Sequence, residues 1–254
     1  MTSGASDAGD RREELAEHLG DVRARIAAAC LAAGRRADDV TLVAVTKTFP
    51  ASDVALLASL GVADFGENRD QEAAPKAAEV AALGLRQLLR WHFVGQLQVN
   101  KAASVVSYAD FVHSVDRIRL VHALGTRAAA AGRLVTCLIE VNLDEDPALP
   151  ARGDQVAGAR GGALPADVPA LADEIAAQPA LVLGGVMAIA PLDAPPRPAF
   201  RRLAHVAELV RAAHPDAIMI SAGMSGDLDE AIAEGATHVR VGTALLGGRR
   251  PFVR

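Results

Sequence analysis

The sequence predicts a single closed barrel of the α/β class, in which about eight parallel strands alternate with helices, the (β/α)8 or TIM barrel. A chain of 254 residues has the length of one such domain. Strand-like and helix-like segments alternate along it, and several strands are apolar and β-branched nearly throughout, which is typical of strands covered on both faces. An open doubly wound sheet is the alternative, but no G-x-G-x-x-G motif follows any strand.

The individual elements follow in a regular order. The predicted strands are Val40 to Thr46, Ala63 to Gly66, Trp91 to Gly95, Phe111 to Ser114, Val135 to Asn142, Leu183 to Ala190, Ala217 to Ser221 and His238 to Gly242. The helical patterns between them are Ser52 to Leu60, Asn68 to Leu83, Asn100 to Ser107, Arg117 to Ala131, Ala166 to Ala177, Pro198 to His214 and Asp227 to Glu234. An extra helix from about Arg11 to Ala33 precedes the first strand. Residues 1–10 are small and polar and predict a disordered tail, which leaves 11–254 as the barrel domain.

Composition excludes several classes of protein. With 51% hydrophobic and 22% charged residues, the chain has material for a large core. The formal charge of −5, without a basic stretch interleaved with aromatics, argues against nucleic acid and anionic membranes as partners. No apolar signal segment opens the sequence, so we expect a cytoplasmic protein. Because aromatic residues make up only 3% and no apolar surface stripe is evident, we expect a monomer.

Neither the cysteines nor the other ligand residues indicate a metal site or a disulfide. Cys30 lies in a helical pattern and Cys137 in a strand pattern, and both are interpreted as core residues. No set of His, Cys, Asp and Glu has the spacing of metal ligands. The segment 144–165 is rich in Gly, Pro and Ala and predicts a mobile loop at the C-terminal rim; whether it gates a site or is a plain insertion stays open.

The first predicted strand ends in a lysine. In "VTLVAVTK", the period of two places Val43, Val45 and Lys47 on one face, and Lys47 falls at the C-terminal end, where barrel sites form. One interpretation is a lysine that extends its ammonium group into water from the strand end. The other is a partly desolvated amine of lowered pKa that forms a Schiff base with a carbonyl compound.

Glycines and small hydroxyl residues follow the last two strands. Ser221, Gly223 and Ser225 come after strand seven, and Gly242 and Thr243 after strand eight. In a TIM barrel these two loops form the usual phosphate site, although Gly and Ser also serve plain turns. A reactive amine and a phosphate site on one rim together suggest a phosphorylated aldehyde, with pyridoxal 5′-phosphate (PLP) the obvious candidate.

Several segments, in one order from about Leu15 to Gly248, resemble the YggS/PROSC family of PLP-binding proteins, the PLP homeostasis proteins. They are "LVAVTKTFP", "FGENRDQE", "WHFVGQLQVNK", "VHSVDR", "IEVNLDED", "GGVMAIAP", "SAGMSGDLDEAI" and "VRVGTALLG". The resemblance implies a barrel similar to the N-terminal domain of alanine racemase, the fold of type III PLP proteins. It also implies PLP bound as an internal aldimine on Lys47.

Roles of other residues are implied in the same way. The resemblance places Asn68 near the cofactor ring, Arg240 opposite the pyridine nitrogen, and His92 and Met187 on the floor or wall. It places six residues around the phosphate: Ser221, Gly223, Met224, Ser225, Gly242 and Thr243. From the residues alone, His92 and His113 are equally interpretable as hydrogen-bonded core histidines, and Arg240 as an arginine paired with an acid at the rim.

The chain departs from the family pattern at two places. Arg69 stands where relatives carry a tyrosine, which puts a stacking or hydroxyl role there in doubt. Arg160, Gly161 and Gly162, displaced by an insertion, stand in place of the family's second lysine motif. A guanidinium binds an anion but does not readily accept an imine, so a transfer of the cofactor that needs a second lysine at this position would be altered in this chain.

We predict a carrier of PLP that buffers the free aldehyde and delivers it to apoenzymes without catalysis of its own. A guanidinium opposite the pyridine nitrogen leaves that nitrogen unprotonated, which weakens the ring as an electron sink. The one tyrosine, Tyr108, precedes strand four at the opposite face of the barrel, so a paired acid and base is missing. The alternatives are an amino-acid racemase or lyase of the alanine racemase type, and a cofactor-free Schiff-base aldolase.

Overall fold

The computed structural model describes residues 3–144, 161–191 and 194–248. Eight parallel strands, hydrogen-bonded in chain order, form a closed barrel in which the last strand pairs with the first. The predicted fold class is therefore confirmed. The strands are β1 (Thr41–Val45), β2 (Asp64–Glu67), β3 (Arg90–Phe93), β4 (Phe111–Val115), β5 (Val135–Glu140), β6 (Leu181–Met187), β7 (Met219–Ser221) and β8 (His238–Val241).

Helices cover the outside of the barrel. They are α1 (Ser3–Ala32), α2 (Ala51–Ser59), α3 (Asp70–Ala82), α4 (Ala102–Tyr108), α5 (Ile118–Ala130), α6 (Val168–Ala176), α7 (Pro196–Ala213), α8 (Leu228–Ala233) and α9 (Thr243–Leu246). All eight predicted helices are present, with ends that differ by a few residues. The short α9 was not predicted, because four residues carry too little periodicity to be recognised.

The expected N-terminal tail is the main difference. Helix α1 begins at Ser3 rather than near Arg11, so its first turns fall on residues for which the sequence predicted a tail. The small residues of this stretch include alanines, which favour helix, and a helix that is already anchored further along extends at little cost. Most of the loop predicted at 144–165 lies outside the described residues, which end at Asp144 and resume at Gly161.

The core lies between the barrel and its helices. Phe65, Trp91 and Ile139 face outward from their strands and are fully or almost fully buried under the helical layer. Each such side chain contributes about 1.5 to 3 kcal/mol when it is removed from water. Cys30 and Cys137 are both buried free thiols, as the sequence predicted. The alternate positions point into the barrel, where polar side chains are more frequent.

Helix α1 joins the beginning of the barrel to its end. Its apolar residues recur at helical spacing and are buried: Leu15, Leu19, Val22, Ile26 and Cys30. At one end of this stripe, Arg11 donates to Asp53 of α2 at 2.7 Å and to the carbonyl of Leu246 at 3.2 Å. The helix therefore packs across the seam where β8 meets β1.

A bulge between β5 and β6 sets which residues of β6 face inward. The pairing changes register between Cys137 and Leu138, opposite Gly184 and Gly185. Gly185 has φ +144°, and a Cβ there would lie 2.0 Å from the carbonyl oxygen of Met219. Only glycine fits this backbone. After the bulge, Met187 is fully buried at the end of the strand.

Two further observations concern membranes and metal ions in residues 3–144, 161–191 and 194–248. No helix there is both long and apolar enough to cross a membrane. No group of three or more His, Cys, Asp or Glu side chains in those residues has an arrangement that could hold a metal ion.

Replacing Arg11 tests the α1 seam. Arg11 and Asp53 have side chains only 9% and 8% exposed, so Arg11→Ala leaves a buried carboxylate without its cation. We expect a loss of about 3 kcal/mol in the free energy of unfolding, measured by urea titration. Arg36→Ala is the matched control, because the Arg36 side chain is 83% exposed in its pair with Asp39, and it should leave stability nearly unchanged. Equal effects of the two substitutions would contradict the structural role of Arg11.

Candidate functional site

Lys47 lies at the C-terminal mouth of the barrel, on a turn that follows β1. The strand ends at Val45, two residues before the lysine, so Lys47 is not a strand residue as its alternation with Val43 and Val45 suggested. Those two valines do face inward, because a Cβ built on Gly66 of β2 would lie 3.2 Å from a methyl group of each. Lys47 itself is exposed, which agrees with the first of the two interpretations, a lysine that extends its ammonium group into water.

A buried ion pair on the outer side of the barrel stabilises the turn that carries Lys47. Lys76 of α3 donates to the carbonyl of Thr46 at 2.7 Å and to Glu67 Oε1 of β2 at 2.6 Å. The Thr46 hydroxyl donates to the same carboxylate oxygen at 2.7 Å. Beyond the lysine, Thr48 adopts φ +68° and its N–H donates to Glu72 at 3.2 Å. These contacts fix the backbone on both sides of an accessible amine.

The loops after β7 and β8 come together at the same mouth. The N–H of Ala244, at the start of α9, donates to Ser225 Oγ at 3.3 Å. Gly223 is buried and its carbonyl accepts from the N–H of Arg240 at 2.9 Å. Gly242 is half-buried and Thr243 exposed, and Met224 and Ser225 are half-buried. Five of the six residues predicted around a phosphate therefore lie in two adjoining loops.

Ser221, the sixth residue, lies apart from these loops. It is the last residue of β7, points into the barrel and is 0% exposed. Its Oγ is 2.9 Å from His113 Nδ1 and accepts from Arg240 Nη1 at 2.7 Å. Both contacts lie inside the barrel, beneath the mouth. Ser221 therefore connects the residues after β7 to His113 and Arg240 inside the barrel.

Arg240 is a buried cation whose side chain binds a hydroxyl group and a backbone carbonyl. Its Nη1 donates to Ser221 and its Nη2 donates to the carbonyl of Ala188 at 2.9 Å. The interpretation of Arg240 as an arginine paired with an acid is thus wrong for the described residues, which place no carboxylate oxygen within ion-pair distance. Burial lowers the pKa of Arg240 to about 10, against the opposing attraction of Glu140, so the guanidinium stays protonated at neutral pH.

Asn68, His92 and Met187 surround the mouth at different depths. Asn68 follows β2 and is half-buried. Its backbone lies against Gly95, which follows β3. A Cβ at position 95 would stand 2.1 Å from the Asn68 carbonyl oxygen, so only glycine fits there. His92 and Met187 are buried inside the barrel, on β3 and β6. Their position beneath the mouth agrees with the floor or wall expected for them.

Glu140 is a residue of the mouth that sequence reasoning missed. It ends β5 on the inward-facing register, and a Cβ on Gly161 would lie 3.4 Å from its Oε1. Burial raises the pKa of Glu140 to about 7; Asp116 adds to the increase and Arg240 opposes it. The available signal was an acid in an otherwise apolar strand, "VTCLIEVN". Its carboxyl group can hold or release a proton near neutral pH, close to the guanidinium.

The comparisons with known proteins agree with this geometry. A family model described as alanine racemase, N-terminal domain, matches residues 21–250. A pyridoxal phosphate homeostasis protein of Mycobacterium bovis is 44% identical, with 95% of each chain covered. The Escherichia coli K12 protein of the same name is 34% identical, with 93% of this chain and 97% of that protein covered.

This chain belongs to the pyridoxal phosphate homeostasis protein family. Among solved structures, an unknown protein of Bifidobacterium adolescentis matches 93% of this chain and 96% of its own, at 33% identity and a TM-score of 0.83. PipY of Synechococcus elongatus PCC7942, solved with PLP bound, is 33% identical, with 92% and 100% of the chains covered and a TM-score of 0.76. Alanine racemase of Corynebacterium glutamicum, at 14% identity and a TM-score of 0.63, shares the fold over 62% of its chain.

Replacing Lys76 tests the support of the Lys47 turn. Lys76→Met leaves Glu67 as a buried unpaired carboxylate, and we expect a loss of about 3 kcal/mol in the free energy of unfolding. Glu67→Gln combined with Lys76→Met removes both charges and should recover a large part of that loss. Lys101→Met serves as the control, because Lys101 is only loosely paired with Asp70 at 3.8 Å. A double variant no more stable than the single one, by urea unfolding, would contradict the assignment.

The pH dependence of stability tests Glu140. Because its pKa is about 7 in the folded protein against 4.5 ordinarily, the folded state keeps a proton that the unfolded chain releases, and this contribution to stability falls between pH 4.5 and 7. Glu140→Gln removes the titration. We expect the stability of the variant relative to the wild type to rise by about 1 to 2 kcal/mol from pH 5 to pH 8, allowing for partial solvent exposure. Urea unfolding at four pH values measures it, and a constant difference would refute the buried titration.

Proposed function

We propose that this chain is a PLP-binding protein of PLP homeostasis, which holds the cofactor covalently through Lys47 and releases it to other proteins. The observation that carries the proposal is its similarity over nearly its whole length to PipY, a protein solved with PLP bound, together with an exposed amine on a fixed turn at the mouth. The cofactor supplies an aldehyde, which condenses reversibly with a primary amine and releases one water.

Lys47 is the residue best suited to the covalent bond. The sequence has three lysines, Lys47, Lys76 and Lys101. Lys76 is buried behind β1 and β2 in its ion pair with Glu67, so its amine does not reach the mouth. Lys101 lies beside Asp70, at the start of α4. Lys47 alone among the three combines an exposed side chain with a position directly after β1.

The other residues of the mouth fit the parts of the cofactor. The loops joined by the contact between Ser225 and Ala244 offer small side chains and hydroxyl groups for a phosphate, with Gly242 and Thr243 on the second loop. Arg240 presents a protonated guanidinium beneath them, which can donate a hydrogen bond to a ring nitrogen but cannot give up its proton readily. Asn68 borders the same space from β2.

The arrangement favours a carrier over an enzyme. Tyr108, the tyrosine of the sequence, is buried at the end of α4, at the opposite end of the barrel from Lys47. Glu140 supports the alternative of a racemase or lyase, since a carboxyl group with a pKa of about 7 can transfer a proton. In the carrier Glu140 needs no proton-transfer role, and its attraction for Arg240 raises the pKa of Arg240 and so favours the protonated guanidinium.

The absorption spectrum of the purified protein tests the covalent bond. We expect protein mixed with PLP to show a visible band that borohydride abolishes, with the added mass on the peptide that contains Lys47. Lys47→Ala should lose the band, and Lys101→Ala, the matched control, should keep it. A band that survives in Lys47→Ala, or a modified peptide elsewhere, would overturn the assignment.

Two further experiments separate the carrier from its alternatives. A carrier should restore activity to the apo form of a PLP-dependent aminotransferase more slowly than free PLP at equal concentration, and should exchange no α-proton of any amino acid in deuterated water. Exchange that is lost in Glu140→Gln would establish a racemase or lyase instead. A colourless protein that traps a substrate on Lys47 with borohydride would establish an aldolase.

The proposal also covers the location and the oligomeric state of the protein. We propose a cytoplasmic monomer that meets apoenzymes transiently. The low aromatic content of the chain, 3%, supports the monomer, because stable protein interfaces are enriched in aromatic residues. Sedimentation velocity should give a single species of monomer mass, and a dimer would refute this part.

A further inference from the structure

A continuous row of polar side chains crosses the inside of the barrel beneath the mouth. His92 Nε2 is 2.9 Å from Asp64 Oδ1, and His92 Nδ1 is 2.8 Å from His113 Nε2. His113 Nδ1 is 2.9 Å from Ser221 Oγ, which in turn accepts from Arg240 Nη1 at 2.7 Å. These residues come from β2, β3, β4, β7 and β8, and every one of them is buried.

The carboxylate of Asp64, at one end of the row, determines which nitrogen of His92 carries the proton. Arg90 donates to both carboxylate oxygens of Asp64, at 2.6 Å each. Burial alone would raise the pKa of Asp64, but the hydrogen bonds from Arg90 and His92 outweigh it and lower the pKa to about 2. Asp64 is therefore an acceptor only, and His92 Nε2 must carry a proton. Burial lowers the pKa of His92, so its ring is neutral and Nδ1 is an acceptor.

The same reasoning assigns the donor and the acceptor in the contacts of His113 and Ser221. Because His92 Nδ1 accepts, His113 Nε2 must donate to it, and burial also keeps His113 neutral by lowering its pKa. His113 Nδ1 is then an acceptor, and the hydroxyl proton of Ser221 points towards it. The Ser221 oxygen keeps its lone pairs for Arg240, which can only donate. Each hydrogen bond in the row therefore has one donor and one acceptor.

We propose that Asp64, His92, His113 and Ser221 form a directional hydrogen-bond chain whose task is to hold the guanidinium of Arg240 in place beneath the mouth. The four are positioning residues, since they act through Arg240. With Nη1 held by Ser221 and Nη2 by the carbonyl of Ala188, the plane of the group is fixed. The hydroxyl proton of Ser221 is committed to His113 and is not available to a phosphate.

Packing supports the chain at its middle. The ring of His92 stacks on Phe111 with 4.3 Å between ring centroids and 3° between ring planes, which holds the imidazole in the orientation that both its hydrogen bonds need. His238, also inside the barrel, stands outside the chain and pairs with Thr237 Oγ1 at 2.8 Å. It offers a matched control, because it is a neighbouring inward-facing histidine with no part in the row.

The first experiment reads the direction of the chain without a cofactor. In long-range proton–nitrogen NMR spectra of the protein with ¹⁵N-labelled histidine, the signals of His92 and His113 are assigned by their loss in the His92→Gln and His113→Gln variants. We expect both rings as neutral Nε2–H tautomers at pH 7, and Asp64→Asn to give mixed tautomers. His113 protonated on Nδ1, or a doubly protonated ring, would overturn the proposal.

The second experiment reads the effect on Arg240 and rests on the proposed function. We expect Ser221→Ala to weaken binding of PLP and of pyridoxal, which lacks the phosphate, by about tenfold each and to shift the visible band. His113→Gln should act in the same way, and the double variant no more strongly than either single one, whereas His238→Gln should change affinity by less than about twofold. If Ser221→Ala weakened binding of PLP but not of pyridoxal, or left both affinities at the wild-type value, the proposed hydrogen-bond chain would be refuted.

The two experiments separate the proposals from each other. If the wild type binds no PLP, the proposed function fails, and the tautomers of His92 and His113 still decide the chain. If the wild type binds PLP through Lys47 but Ser221→Ala and His113→Gln leave both affinity and spectrum unchanged, the chain fails while the proposed function stands. Loss of folding in one variant is detected by its unfolding curve, and the other variants then carry the test.

Discussion

The closed barrel imposes one constraint on everything inside it: a polar atom that points inward has little water to bind and must find its partner among the other inward-facing atoms. Eight strands supply these atoms from widely separated parts of the sequence. Asp64 and Ser221 are 157 residues apart in the chain, yet both belong to one row of hydrogen bonds. The interior is therefore organised as a unit, and it delivers a positive charge to the place where the strands open to solvent.

At the mouth, the accessible amine of Lys47 lies above this buried row of hydrogen bonds. Lys47 is free to meet a carbonyl compound because its turn projects beyond β1. The turn is nevertheless firmly attached, since Lys76 and Glu67 bind its base from the outer side of the barrel. Fixed geometry is thus supplied by the backbone and its supports, and accessibility by the side chain. A site that must both hold and release its ligand benefits from that division.

The sequence predicted the fold and most elements because hydrophobic periodicity is a local property of the chain. It predicted the mouth as well, since the ends of parallel strands in a barrel must meet there. It grouped Ser221 with the residues around a phosphate, because a serine at a strand end with a glycine two positions later is the same pattern whether the side chain faces the loop or the barrel interior. It missed Glu140 and the ion pair of Lys76, because these depend on burial and on contacts between distant segments, which one sequence does not reveal.

Helix α1 has an implication for the order in which the protein is made. It leaves the ribosome before any strand of the barrel, yet Arg11 and Arg25 bind groups that follow β8 and β7, the carbonyl oxygens of Leu246 and Ser225. Until those residues emerge, the apolar stripe of α1 has no final surface to cover it. Closure of the barrel must wait until β8 has been synthesised, so nascent chains expose this stripe until then and offer it to chaperones throughout that time.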